Sequence, residues 1–385
     1  MKYLVKTPTN KVDVLVIDQC GSEHIVKCIP EGLSFSILEI RSEIPYINNL
    51  MFFLHLCRRI TQFGVKNKTI VASIIDVIKP KIIISFIDNS PIMGQLYSIF
   101  PQKLVISVQN GLRVESRGFL DKNNDFSLPY FFSFGEYEKD LVQKNSIRYK
   151  KIFNIGSLQT GIFLSNYSNN SNNSNNSNNP NSICFISQYW PPSKSKYNED
   201  RLNKIRTTYI NLIKWSDKSG FFKIKVAIKH GANEEEFSNE ISMYKDNMPV
   251  NVELIKQSNF SSYRAAYESL VSITMFSTLG FEMFGLGKKV LFCGMTVSGE
   301  FLEKKNISFI FNKMPDIVIL KSLDKAEFNS KISNLVNMSN KEYLERTREA
   351  REYYMSNKEK YPHEIISKYI KDFILKMNHK KNLNV

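Results

Sequence analysis

The sequence predicts an α/β fold of two Rossmann-like, doubly wound domains that face a central crevice, followed by C-terminal helices. Three observations predict this fold. The chain has 385 residues, enough for two domains at about 150 residues each. Short apolar runs of strand length alternate with helical patterns, which is typical of a parallel sheet covered by helices. The alternation stops at a Ser/Asn-rich tract in mid-chain and then begins again, so each half is expected to form its own sheet.

Residues 1–164 are predicted to form the N-terminal domain. Runs rich in Val, Ile and Phe predict its strands, at residues 12–17, 35–40, 82–87, 104–108 and 130–134. Patterns of helical period between them predict helices, at residues 50–59, 69–78 and 92–100 and from Glu136. Pro80 ends the second of these helices, because proline lacks the backbone N–H that a helix needs.

Residues 165–182 are predicted to be a flexible linker or surface insertion. They contain consecutive Ser-Asn-Asn triplets at residues 168–179, then Pro180, and Tyr167 is their one apolar residue of any size. Such a composition has too little apolar surface to join a core. The tract therefore marks the boundary between the two domains.

The same alternation predicts a C-terminal domain at residues 183–338. Its strands are expected at residues 183–187, 223–228, 252–255, 270–274 and 289–292, and its helices at residues 199–219, 233–246, 261–269 and 278–286. Two further helices, at residues 340–357 and 364–377, are expected in a terminal segment 339–385 that packs back on the N-terminal domain.

Composition excludes several classes of protein. No apolar run reaches the roughly 20 residues that span a bilayer, and no leader-like segment follows the first residues, so we expect a cytoplasmic protein. The net charge of +15 predicts an anionic partner, which is a nucleic acid, a lipid surface or a phosphorylated substrate. The basic residues are spread along the chain, which disfavours sequence-specific nucleic-acid binding. The five cysteines form no CxxC pair and are expected to be reduced thiols.

The segment 263–294 carries the most informative motif. A predicted strand ends at Thr274, and a helix begins near Ser277, Thr278 and Gly280, with Glu282 in its first turn. A helix N-terminus offers free N–H groups and a partial positive charge, so these residues are expected to hold a phosphate while Glu282 accepts from a ribose diol. The alternative is a capping box, in which Thr278 caps the helix and Glu282 complements its dipole.

This motif resembles the donor-nucleotide motif of GT-B-type sugar transferases, in which a Ser/Thr-x-Gly-x-Glu turn precedes a short helix and a Gly-Lys-x-Val strand. The wider chain resembles the bacterial transferases of surface-carbohydrate biosynthesis, of the O-antigen and capsule type, through the segments IIISFIDNS (82–90), VISVQNGLR (105–113), FFSFGEYEKDL (131–141) and FNIGSLQTGIF (153–163). The resemblance implies that the C-terminal domain binds a nucleotide-sugar and the N-terminal domain an acceptor. The EX7E pair of one retaining branch is absent, so the resemblance does not define the stereochemical outcome.

Lys229 and His230 follow a predicted strand, where this architecture places a loop at the crevice. They are expected to neutralise the phosphate leaving group, as a metal ion does in other transferases; the alternative is an exposed basic turn. The chain has no DxD motif, so we expect no divalent ion and no cofactor, with the nucleotide-sugar as co-substrate. An aromatic loop at residues 188–192 is expected to stack on a base or sugar, or to pack the hinge.

Asp88 and Asn89 follow a buried strand at the carboxyl end, where open α/β sheets bind ligands. Asp88 is expected to be the base that deprotonates the acceptor hydroxyl, acting across the crevice from Lys229 and His230. The alternative is an Asx turn or an N-cap for the next helix. His24 and Glu115 are lesser candidates for the base.

Gln109, Asn110 and Arg113 follow the next strand. Amides beside an arginine suit a polyhydroxylated, anionic acceptor, and a plain Asn-Gly turn is the alternative.

The sequence thus predicts a glycosyltransferase that moves a sugar from a nucleotide-activated donor to a surface glycan, such as lipopolysaccharide, O-antigen or capsule. Its partners are expected to be the donor, a glycan or lipid-linked acceptor and an anionic membrane surface, with no specific nucleic acid. Two alternatives stay open at this point. One is a nucleotide-sugar epimerase or a polyol-phosphate transferase of the same two-domain shape, and the other is a nucleotide- or RNA-binding scaffold without catalysis.

Overall fold

The structure, a computed structural model, describes residues 11–40, 50–64, 66–113, 126–171, 181–193, 196–217, 220–232, 234–249, 251–297 and 310–383. The chain divides into two compact units. The first comprises Met1–Gly111, Arg117–Ser165 and Lys358–Val385, and the second comprises Leu112–Ser116 and Asn166–Asn357. Each unit contains a parallel sheet with helices, which confirms the predicted α/β fold class.

The first unit is built on a six-stranded parallel sheet with the order β2-β1-β3-β4-β5-β6. Its elements are β1 (Val14–Ile17), α1 (Ser22–Val26), β2 (Phe35–Leu38), α2 (Leu50–Phe63), α3 (Asn67–Ile78), β3 (Ile82–Ser85), α4 (Ile92–Ile99), β4 (Leu104–Val108), β5 (Ser127–Ser133), α5 (Glu136–Lys144), β6 (Arg148–Asn154) and α6 (Leu158–Ser171). β1 pairs with both β2 and β3. The strand order therefore reverses between β1 and β3, where open parallel sheets bind ligands.

The strands β1, β3 and β4 are buried along their whole length, and for this reason they read as continuous apolar runs in the sequence. The strand β6 was not predicted. Its residues are mostly exposed and include Arg148, Lys150 and Lys151, because β6 lies at the edge of the sheet. An edge strand needs no apolar pattern on its exposed side.

The helix α6 runs into the tract that was expected to be a flexible linker. It continues to Ser171, and the division between the two units falls inside it, after Ser165. Tyr167 anchors the end of this helix, because its hydroxyl donates to Glu268 Oε1 at 3.2 Å and its ring lies 5.2 Å from that of Tyr267. One aromatic side chain thus stabilises a segment whose composition suggests no structure. The rest of the triplet tract, 172–180, lies outside the described residues.

The second unit is built on a five-stranded parallel sheet with the order β11-β10-β7-β8-β9. Its elements are β7 (Ser182–Ile186), α7 (Lys196–Asp217), β8 (Lys223–Gly231), α8 (Phe237–Asn247), β9 (Glu253–Gln257), α9 (Ser261–Glu268), β10 (Val271–Thr274), α10 (Thr278–Gly285), β11 (Val290–Phe292), α11 (Lys325–Asn337) and α12 (Asn340–Tyr354). The last helix of the chain, α13 (Pro362–Leu383), belongs to the first unit. After β9 the chain returns to pair β10 with β7. The strand order of this sheet therefore reverses between β7 and β10.

The two C-terminal helices were expected to form one segment, and the structure separates them. α12 packs on the second unit, where the Tyr343 hydroxyl donates to the carbonyl of Lys288 at 2.9 Å and accepts from the N–H of Val290 at 3.2 Å. α13 belongs to the first unit, where the Tyr369 ring lies 4.9 Å from that of Phe153 and 5.6 Å from that of Phe132. Aromatic contacts with β5 and β6 therefore hold the last helix on the first sheet.

Across the described residues, no helix combines the length and the apolarity that a membrane span requires. Each of the five cysteines has a free thiol.

Candidate functional site

The carboxyl ends of β10, β7 and β8 lie side by side in the second sheet. Because the strands are parallel, the segments that follow them leave from one edge of the sheet. These segments contain Ser277 and Thr278 after β10 and residues 187–190 after β7, while Lys229 and His230 lie at the end of β8. Gln188 Nε2 donates to Thr274 Oγ1 at 3.4 Å, and this bond links the segment after β7 to the end of β10. The structure thus brings Lys229, His230, Ser277 and Thr278 to one edge of one sheet.

His230 is held by a buried carboxylate that the sequence analysis did not identify. Glu240, in the first turns of α8, is fully buried, and its Oε2 lies 2.7 Å from His230 Nδ1. The same carboxylate accepts from the backbone N–H of His230 at 3.0 Å and from that of Lys229 at 2.9 Å. It also accepts from the Ser187 hydroxyl. Glu240 therefore ties the end of β8 to the segment that follows β7.

Lys229 extends along the aromatic segment that follows β7. Its Nζ lies 4.8 Å from the centre of the Trp190 ring and donates to the carbonyl of Tyr189 at 3.4 Å. The Tyr189 ring meets the His230 ring edge-on at 5.7 Å, and its hydroxyl donates to Glu236 at 3.0 Å. Burial, followed by the Glu236 carboxylate, raises the pKa of Tyr189 to about 12. The aromatic loop thus packs beside the cationic pair, and Lys229 stays exposed.

The start of α10 has a geometry that differs from the capping-box alternative. Ser277 is the N-cap and makes no side-chain capping bond. The Thr278 hydroxyl instead accepts from the N–H of Leu112, a residue that groups with the second unit, at 3.0 Å. Gly280 packs against the end of β10, since a Cβ there would lie 2.3 Å from Thr274 Cγ2. The glycine is therefore required for close packing of helix on strand, whatever it contributes to a ligand.

Glu282 lies inside the second unit with 1% of its surface exposed. Its Oε2 accepts from the Tyr263 hydroxyl of α9 at 2.7 Å. Burial and the Glu282 carboxylate together raise the pKa of Tyr263. This pair supports the start of α10, and the contact of Glu282 with a ribose stays a prediction.

In the first unit, Asp88 follows β3 and is fully buried. Its Oδ1 accepts from the N–H of Asn110 at 3.3 Å. Asp88 does not cap α4, whose N-cap is Pro91. Asn89 is exposed and Asn110 is half-buried. The carboxylate is thus not exposed to an acceptor hydroxyl in this arrangement, and the role of Asp88 as base stays a prediction.

Gln109 supports the loop after β4 and does not present its amide to a ligand. The side chain is buried, Nε2 donates to Glu138 Oε1 at 2.8 Å and to the carbonyl of Gly111 at 3.0 Å, and Oε1 accepts from the N–H of Phe134 at 2.7 Å. Burial raises the pKa of Glu138 to about 8, although the hydrogen bond from Gln109 favours its ionised form. The pair fixes the backbone from which Asn110 contacts Asp88.

Two further polar residues lie at the point where the first sheet reverses its order. Asp18 follows β1 with φ at +78°, is 4% exposed, and accepts from the N–H of Cys20 at 3.0 Å. His24, in α1, packs edge-on against Phe86 at 5.6 Å, and its Nε2 lies 3.1 Å from Gln159 Nε2. Burial lowers the pKa of His24. Asp18 was missed, although it follows a buried strand as Asp88 does.

Arg113 and Glu115 are the remaining predicted residues. Arg113 is assigned to the second unit, whereas Gln109 and Asn110 belong to the first. Glu115 lies outside the described residues. Among the residues that the structure describes, no three His, Cys, Asp or Glu side chains cluster closely enough to hold a metal ion.

Comparison with known families identifies the chain. Residues 106–376, well over half of the chain, match the profile of a family described as "putative O-antigen biosynthesis protein". The chain belongs to this family. A search of curated protein sequences finds no significant match.

Comparison with solved structures establishes the fold of this O-antigen biosynthesis family member. UDP-GlcNAc 2-epimerase from Neisseria meningitidis, bound to UDP-GlcNAc, superposes with a TM-score of 0.52 at 13% identity and covers 94% of this chain and 99% of its own. The Methanocaldococcus jannaschii UDP-GlcNAc 2-epimerase, in complex with UDP-GlcNAc and UDP, gives 0.52 at 13% identity, over 86% and 94%. The wall teichoic acid polymerase TagF gives 0.56 at 13% identity, over 97% and 91%. The GT-B-like architecture is confirmed.

Proposed function

We propose that the protein is a glycosyltransferase that moves a sugar from a nucleotide-activated donor to a surface glycan of the lipopolysaccharide, O-antigen or capsule type. The observation that supports this most is the convergence of Lys229, His230, Ser277 and Thr278 at one edge of the second sheet, beside the point where its strand order reverses. Open α/β sheets bind nucleotides at such points. Membership of the O-antigen biosynthesis family gives the glycan context.

In the proposed reaction the bond between the anomeric carbon and the donor phosphate breaks, and a bond from that carbon to the acceptor oxygen forms. Asp88 takes the proton of the acceptor hydroxyl. Lys229 and His230 stabilise the negative charge on the departing phosphate. The transfer as proposed uses no cofactor and no divalent ion, and retention of activity in excess EDTA is the expected result.

The proposed donor is a nucleotide-sugar held by the second unit. Both epimerase structures of the same fold hold UDP-GlcNAc, and the net charge of +15 favours a phosphorylated ligand. The N-terminus of α10 offers N–H groups to a phosphate, and Trp190 offers an aromatic face to a base or sugar. Asn89, Asn110 and Arg113 are the proposed contacts of the acceptor.

Binding of the donor is tested by calorimetric titration with UDP-, GDP-, CMP- and dTDP-sugars, after a thermal-shift screen. A ligand at 100 times its dissociation constant adds about 2.7 kcal/mol of stability, which is visible in melting. Glu282→Ala and Thr278→Ala are expected to weaken the donor that binds. Tyr263→Phe is the matched control, because it removes the hydroxyl that contacts Glu282 and leaves the carboxylate in place. Unchanged donor affinity in both folded alanine variants contradicts the proposed site.

The comparisons favour a second candidate function. Similarity of fold to UDP-GlcNAc 2-epimerases and to TagF leaves a nucleotide-sugar epimerase or a polyol-phosphate transferase as the alternative. Recovery of an epimerised nucleotide-sugar without acceptor identifies the epimerase, and transfer of a phosphorylated polyol identifies the other enzyme. A third outcome identifies a non-catalytic scaffold. In that case the protein binds the nucleotide-sugar but does not turn it over when lipid-linked acceptors from a bacterial membrane extract are present.

We also propose that the protein is cytoplasmic and contacts the anionic inner leaflet of the membrane through α2. Three large apolar side chains of this helix are exposed, Met51 at 51%, Phe53 at 46% and Leu54 at 56%, and Arg58 on the same helix is exposed as well. An apolar helix face with basic residues binds anionic lipid surfaces. Leu54→Ser should weaken co-sedimentation with phosphatidylglycerol vesicles, whereas Leu375→Ser, at a residue 66% exposed on α13, should not. Equal loss in both variants contradicts this surface.

A further inference from the structure

The buried carboxylate beside His230 leads to an inference that rests on the proposed donor site. We propose that Glu240 is a positioning residue that keeps the proton of the His230 ring on Nδ1, so that Nε2 is the ring atom presented to the donor. Nothing in the local sequence around Glu240 indicates this role. It follows from the hydrogen bonds that converge on one carboxylate.

Each oxygen of Glu240 makes two polar contacts. Oε1 accepts from the backbone N–H of Lys229 at 2.9 Å and from the Ser187 hydroxyl. Oε2 accepts from the backbone N–H of His230 at 3.0 Å and lies 2.7 Å from Nδ1 of the same residue. Three of the four partners are donors, and a carboxylate has acceptor groups only. Glu240 as a carboxylate therefore acts as an acceptor at both of its oxygens.

An acceptor at Nδ1 determines where the ring proton lies. A neutral imidazole carries one proton, and the hydrogen bond that one nitrogen makes sets the state of the other. With the Glu240 carboxylate at 2.7 Å, Nδ1 carries the proton and Nε2 keeps its lone pair. In the charged ring, Nε2–H donates instead. In both states the ring atom that faces away from Glu240 is Nε2, and this atom is available to a phosphate or a hydroxyl of the nucleotide-sugar.

The surroundings of the ring hold it in this orientation. The Tyr189 ring packs edge-on against it from the segment after β7, and the Tyr189 hydroxyl is engaged by Glu236 of the turn before α8. Lys229 on the same strand points to Trp190. Because Glu240 also accepts from the backbone N–H of His230, the carboxylate stays in place beside Nδ1 and holds the ring towards it. The side chain is thus pre-organised before a ligand arrives.

A glutamine at position 240 cannot replace the carboxylate. Its amide has one acceptor oxygen and one NH₂ group. In either orientation the NH₂ group faces a backbone N–H, that of Lys229 on one side or that of His230 on the other. One of these orientations keeps an oxygen beside Nδ1, so the variant that removes the acceptor in every orientation is Glu240→Leu, whose side chain has no acceptor.

The test is the protonation of the ring nitrogens in the full-length protein labelled with ¹⁵N-histidine. Long-range ¹H–¹⁵N spectra are recorded without ligand at alkaline pH, where the ring is neutral, and His230→Gln identifies the His230 signals among the five histidines. The expected wild-type spectrum shows protonated Nδ1 and unprotonated Nε2. The opposite pattern overturns the proposal, and this result needs no Glu240 variant that folds.

Two variants complete the test. In folded Glu240→Leu, which has no acceptor beside Nδ1, the expected result is loss of the Nδ1-protonated pattern. Ser187→Ala is the matched control, because it removes one hydrogen bond from the same carboxylate without touching the ring, and its pattern should match the wild type. An unchanged pattern in Glu240→Leu, or its loss in Ser187→Ala, overturns the role of Glu240. No sugar donor is present in these spectra, so a protein without transferase activity still gives this result. The transferase activity is tested separately.

Discussion

Gly280→Ala tests whether this glycine of the nucleotide motif serves the fold or the ligand. The added Cβ would lie 2.3 Å from Thr274 Cγ2, whereas carbon atoms in contact are normally about 3.5 to 4.0 Å apart. The overlap exceeds about 1 Å. Overpacking of this kind costs about 1 to 3 kcal/mol, while alanine gains about 0.5 to 1 kcal/mol over glycine in a helix. These ranges differ by about 0 to 2.5 kcal/mol, and from their midpoints we expect a net loss of about 1 kcal/mol in the stability of the second unit.

The background variant Thr274→Ser makes this prediction specific. Serine keeps the hydroxyl that accepts from the N–H of Ser277 and removes the methyl group that clashes. Thermal and urea unfolding are measured for the single variants and the double variant. A loss of 1 kcal/mol lowers Tm by about 2 to 4 °C in a domain of this size, and most of it should disappear in the double variant. An equal loss from Gly280→Ala in both backgrounds refutes the steric reasoning.

The same pair separates packing from ligand binding. If the double variant regains stability and binds the nucleotide donor as the wild type does, Gly280 serves the packing of α10 on β10. If stability returns and donor affinity does not, the glycine is needed for the close approach of a phosphate, as the nucleotide motif predicts.

Three other predictions concern the base, the tract and an ion pair. Asp88→Asn should lower turnover at least 100-fold, within the roughly 10²- to 10⁴-fold that a general base contributes, with calorimetric donor affinity unchanged; normal turnover moves the role to another group. Deletion of residues 172–179 should change the free energy of unfolding by less than about 1 kcal/mol, because loop terms grow slowly with length, whereas a deletion that also takes 168–171 removes the end of α6 and should cost more. Hydrogen bonds from Lys321 and then Lys331 lower the pKa of Asp316 to about 2. The contribution of this carboxylate to the stability of the folded protein is therefore present above its ordinary pKa near 3.8 and is lost as the pH falls through 2. Since this carboxylate is exposed, Asp316→Asn should cost at most about 1 kcal/mol in urea unfolding at pH 7 and nothing below pH 2; a loss that persists in acid contradicts the ion pair.

The elements that the sequence predicted well are those whose signal lies in a few consecutive residues. The buried strands β1, β3 and β4 are uninterrupted apolar runs because both faces of a parallel sheet are covered. Lys229, His230 and the turn at Ser277 were recognised because each comes after a segment that the sequence predicts to be a strand. In a parallel sheet the carboxyl ends share one edge, so the order of strands and loops along the chain already placed these residues at the edge where open α/β sheets bind ligands.

Partners that are distant in the chain could not be predicted in this way. Glu240 lies on a helix ten residues beyond His230 and resembles any other helix acid until α8 packs on β8. Gln109 pairs with Glu138, 29 residues away, and so supports a loop where its amide suggested a ligand contact. Tyr167 orders the end of α6 through Glu268, 101 residues away.

Local pattern thus specified which segments become strands and helices and where their polar ends lie, since those depend on backbone geometry and apolar periodicity. The packing of the complete units decided which polar groups are buried together. It therefore also decided which side chain holds the ring of His230 and which helix covers β5 and β6. A buried carboxylate is tolerated only where donors from other elements converge on it, and that convergence exists only in three dimensions.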